Sequence, residues 1–65
     1  MRHYNITYYF AYTVENSSKF HFYETTINTA NGGEKEAIIE LIKAIPEIVD
    51  YLLTDTEVVK WNYIL

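Results

Sequence analysis

From His3 to Val14 the chain alternates with a step of two. Tyr4, Ile6, Tyr8, Phe10, Tyr12 and Val14 fall on one side, and His3, Asn5, Thr7, Tyr9, Ala11 and Thr13 on the other. A period of two filled with β-branched and aromatic residues predicts a half-buried strand. It is the longest clean alternation in the chain, so the other segments must cover its apolar side. Glu15 to Lys19 reads as a hairpin connection, because Asn and Ser bond their own backbone in turns. A three-residue loop, Asn16 to Ser18, would set Glu15 opposite Lys19, Val14 opposite Phe20 and Tyr12 opposite Phe22. The second strand, Phe20 to about Asn28, carries two phases. Phe20 and Phe22 share one, and Tyr23, Thr25 and Ile27 the other. Either a β-bulge near Phe22–Tyr23 restores the phase, or the strand is regular and displays apolar groups on both faces. The second solution implies a partner on the open face.

Asn31-Gly32-Gly33 breaks that strand, and Asn31 or Gly33 can cap a helix over Glu34 to Ala44. Ala37, Ile38, Leu41, Ile42 and Ile45 recur at three- and four-residue spacing and form the stripe that covers the first strand. Pro46 interrupts the helix but suits the first position of a new one. Ile48, Val49, Leu52 and Leu53 therefore predict a kink or a short second helix ending near Leu53. Val58 to Leu65 is the last strand on β-branched and aromatic content, although Thr54 and Glu57 also match a capping box for a third helix. The expected fold is α+β, β-β-α-(α)-β. A three-stranded antiparallel sheet of order 2-1-3 carries one kinked helix or two short helices on one face, in one domain spanning 1–65.

Composition narrows the function. A 65-residue chain has a marginal core, and small domains usually add disulfides, a metal or a second copy. There is no cysteine and there are only two histidines, so self-association or a partner is the staple that remains. No apolar leader and no membrane span are evident, and a cytoplasmic location is expected. The net charge is −4, concentrated between Glu34 and Glu57, where seven carboxylates face two lysines. Such a chain is a poor phosphate binder, and a basic protein is an easier partner.

No catalytic arrangement is signalled. His3 and His21 lie toward opposite ends of the predicted hairpin, about 20 Å apart at strand rise. Gly32-Gly33 lacks the spacing and the lysine of a phosphate loop. No cofactor and no metal is expected. Glu36, Glu40, Glu47 and Asp50 would line one helical segment as an acidic surface. The β-β-α-β order and the size are similar to those of some phage-encoded inhibitors of DNA-processing enzymes, a similarity of architecture that implies a nucleic-acid mimic acting on a basic groove. The open sheet face should carry His3, Asn5, Thr7, Tyr9, Ala11 and Thr13, joined by Tyr23 or Phe22 and by Val58 and Ile64. Tyrosine gives large contact area at low entropy cost, and seven of the 65 residues are Tyr. The expectation is a non-catalytic protein-binding module, an inhibitor or adaptor that is a homodimer. Its interface residues are Tyr9, Tyr23, His3, Thr7, Trp61 and Tyr63. The alternative is a nucleic-acid-binding sheet that stacks bases on exposed tyrosines.

Overall fold

The computed structural model of the chain describes residues 3–62, with side chains described through Val58. Strand β1 spans His3–Val14, β2 His21–Thr29, helix α1 Glu34–Ala44 and β3 Ile48–Asn62. The three strands form one antiparallel sheet in the order β2-β1-β3, and α1 packs on one face. The architecture is the α+β arrangement that the alternation and the helical stripe predict.

The even-numbered side of β1 meets the helix. Tyr8, Phe10, Ala37 and Leu41 are buried, and Ile6, Tyr12, Tyr23, Ile27, Ile38, Ile45, Ile48 and Leu53 pack around them. Gly33 is the N-cap, and its N–H donates to the Tyr8 hydroxyl at 2.7 Å. A β-carbon at Gly33 would stand 2.6 Å from Ile27 Cγ2, so the helix can start this close to β2 only with glycine there. Glu34 and Glu36 occupy the first turn and Lys43 the last, each matched to the helix dipole.

Two expectations are corrected. The segment after Pro46 is not helical. Ile48 N–H donates to Ile45 O at 3.1 Å, which closes a turn with Pro46 second in it, and β3 begins at once. Proline presets that turn as readily as it presets a helix start. The last strand thus begins at Ile48 rather than Val58. The hairpin register also differs by one residue. Tyr12 stands opposite His21, not Phe22. Asn16 adopts a left-handed conformation (φ 71°), and Ser17 N–H reaches Val14 O at 3.4 Å. The tight turn is therefore followed by an extended run, and β2 starts at His21.

That register removes any need for a bulge near Phe22–Tyr23. The β1–β2 pairing runs without a shift from Tyr4–Thr29 to Tyr12–His21. The bulges are in β3. Register shifts leave Val49, Thr54 and Val59 without a residue opposite on β1, so fifteen residues of β3 pair with twelve of β1. Thr54 Oγ1 donates to Tyr9 O at 3.0 Å and secures the middle bulge. The shifts also put Val58 opposite Ile6, on the helix side of the sheet and not on the open face.

Candidate interaction surface

The face of the sheet away from α1 is built in rows across three strands. Residues opposite one another in an antiparallel ladder share a face. Phe22, Ala11 and Leu52 make one row, and Glu24, Tyr9 and Asp55 the next. Thr26, Thr7 and Glu57 make a third, and Asn28 and Asn5 a fourth. The third and fourth rows are closed by their own bonds. Thr7 and Thr26 hydroxyls meet at 2.8 Å, and Asn28 Nδ2 donates to Asn5 Oδ1 at 2.8 Å.

The first two rows are open. Phe22 is 78 % exposed and Leu52 66 % exposed, and Phe20 beside them is 70 % exposed. Ala11 between them is too short to fill the gap, so hollows form on either side of the row. One, of about 410 Å³, is lined by Tyr9, Phe10, Phe22, Tyr23, Glu24, Thr54, Asp55 and Glu57. The other, of about 300 Å³, is lined by Ala11, Tyr12, Thr13, Phe20, Asp50, Tyr51 and Leu52.

Charge follows the same geography. Tyr9 donates to Glu57 Oε1 at 3.3 Å, with Glu24 and Asp55 on its flanking strands. Packing against its neighbours raises the Tyr9 hydroxyl above the usual tyrosine range, and the carboxylates of Glu57, Glu24 and Asp55 raise it further. The larger hollow thus pairs aromatic walls with a negative field. Such a place favours a cation, which gains from both ring faces and carboxylates, and disfavours phosphate.

The predicted site residues scatter over this structure. Tyr9 and Thr7 lie on the open face, Thr7 at 5 % exposure because the Thr26 pair covers it. His3 lies at the end of the same face, opposite Asn62. Tyr23 stands opposite Phe10 and packs against the core, so it is Phe22 that faces outward. Trp61 takes the register position opposite Tyr4, and Tyr63 and Ile64 lie outside the described residues. Glu36 and Glu40 are exposed on α1. Glu47 is in the turn and Asp50 on β3 opposite Thr13, so the four acids do not form one helical line. Phe22, Leu52, Asp55 and Glu57 complete the face, and the two-phase pattern of β2 was the signal that pointed to Phe22.

Among the described residues no group of three His, Asp or Glu side chains is placed to hold a metal ion, and no helix is long and apolar enough to cross a membrane. Compared with known protein families, curated proteins and solved structures, the chain matches none.

Proposed function

We propose that the protein is a non-catalytic binding module whose open sheet face docks a basic segment of another protein. The observation that carries this reading is the adjacency of two rows. Phe22–Ala11–Leu52 offers exposed apolar anchors between two hollows, Phe22 lining one and Leu52 the other, and Glu24–Tyr9–Asp55 offers negative charge one step away. Large exposed apolar side chains grouped on one face mark an interaction surface. Their acidic neighbours select a partner with Lys or Arg beside its own apolar groups. An inhibitor or adaptor needs no more than such a face. A nucleic-acid reading would require Lys and Arg where this face holds Glu24, Asp50, Asp55 and Glu57.

The test uses fluorescence anisotropy with two probes, an alternating lysine–leucine peptide and a single-stranded oligodeoxynucleotide. The peptide should bind and the oligonucleotide should not. Leu52→Ser should speed peptide dissociation, and Asp55→Lys should slow association and flatten its salt dependence. Preferential binding of the oligonucleotide would overturn the reading.

A further inference from the structure

We infer that β2 is a self-pairing edge, and that two copies of this chain join through it into a closed six-stranded sheet. The sheet has two outer strands, and they are unlike. β3 carries a bulge at Val49, Thr54 and Val59, one every five residues. Bulges twist an edge and interrupt the spacing of its outward N–H and C=O groups, which protects it from further pairing. β2 has none of these protections. Its nine residues, His21–Thr29, run in unbroken register with β1 and contain no proline and no lysine. Among the described residues no strand pairs with its outer side.

The β2 sequence also fits itself. A twofold axis perpendicular to the sheet pairs residues of equal parity, so each copy keeps its open face on the same side. An axis at Thr25 is the only position that uses all nine residues. It sets His21 opposite Thr29 of the partner subunit, Phe22 opposite the partner's Asn28, and Tyr23 opposite the partner's Ile27. It also sets Glu24 opposite the partner's Thr26. The single charge of the strand meets a hydroxyl rather than a second carboxylate. About eight to ten main-chain hydrogen bonds would form. Moving the axis to Glu24 would place two carboxylates face to face and shorten the ladder. The assembly stops at two copies, because both of its outer edges are then the bulged β3.

The absence of cysteine makes a direct test available. In the inferred register Thr25 stands beside its own copy, within disulfide reach, whereas the two copies of Asn28 are about 20 Å apart. Under mild oxidation Thr25→Cys should cross-link to a dimer and Asn28→Cys should not. Light scattering across a concentration series should show the native chain reaching twice the monomer mass and no more. Thr26→Glu and Thr26→Lys lose the same hydrogen bond to Thr7 but meet the partner's Glu24 with opposite charge. Thr26→Glu should weaken the dimer by about two- to thirtyfold, and Thr26→Lys should hold or strengthen it. Circular dichroism checks that both fold. A native chain that stays monomeric at all concentrations, or equal cross-linking of the two cysteine variants, would overturn the inference. So would growth of the native chain beyond two copies.

Discussion

Adjacent tyrosines do opposite work in β1. Tyr8 is 4 % exposed, and its hydroxyl accepts the N–H of Gly33 at the start of the helix. Tyr9, one residue on, points to the other face and into a ring of carboxylates. Replacing Tyr8 by Phe keeps the ring but leaves a buried N–H without an acceptor, and should cost about 1–3 kcal/mol in urea unfolding. Gly33→Ala should cost a similar amount, about 1–3 kcal/mol, because its β-carbon would stand 2.6 Å from Cγ2 and 3.0 Å from Cβ of Ile27, atoms that no change of side-chain torsion far from the backbone can clear. Tyr9 predicts a pH effect. Its hydroxyl ionises above the ordinary tyrosine range in the fold, so the unfolded chain loses that proton first. Any stability it contributes is complete below the ordinary tyrosine pKa and declines as pH rises through the raised one. In an absorbance titration, the tyrosinate signal removed by Tyr9→Phe should come from the late part of the curve, and Glu57→Gln should move it earlier.

At the level of elements, β1 and α1 were legible because each has one period. Twelve alternating residues and an eleven-residue stripe leave little freedom. β3 was not legible, for a reason that lies in its bulges. Each extra residue reverses the alternation, so the positions opposite the helix-facing side of β1 are Ile48, Tyr51, Leu53, Thr56 and Val58. Steps of three and two average well above two, and together with Pro46 they imitate the spacing of a helix. The hairpin register escaped for a smaller reason, the left-handed Asn16, which nothing but its residue type announces. Since Thr54 is the unpaired residue of the middle bulge, deleting it should leave Leu53 opposite Phe10 and Asp55 opposite Tyr9 in a regular ladder. That variant should still fold cooperatively by circular dichroism, and Thr54→Ala, which removes only the hydroxyl bond to Tyr9, should cost about 0.5–1.5 kcal/mol.

The whole molecule is long and thin, 49 × 17 × 13 Å, with one helix lying on a sheet whose central strand has twelve residues. It exposes 4894 Å², against about 4,300 Å² for a compact protein of its mass. The excess follows from that elongated shape and from a core that, among the described residues, fully buries the four apolar side chains of Tyr8, Phe10, Ala37 and Leu41. The charge pattern of the candidate site was only half visible in the sequence. Acidic residues stood out along the expected helices, but Glu24 came from another strand and Asp55 and Glu57 reached the face only through the bulges. Of the predicted interface residues, Tyr9 and Tyr23 line the larger hollow, Tyr9 from the open face and Tyr23 from the core side, while the outward placement of Phe22 follows only from the register.

The proposed docking of a basic partner on the open face of the sheet, and not on the acidic face of α1, can be read by amide shift mapping of the isotope-labelled protein against an alternating lysine–leucine peptide. Saturable shifts are expected at Tyr9, Ala11, Phe22, Glu24, Leu52 and Asp55, with Glu36 and Glu40 undisturbed. Shifts confined to α1 around Glu36 and Glu40, or no saturable shifts on the sheet, would overturn the proposal.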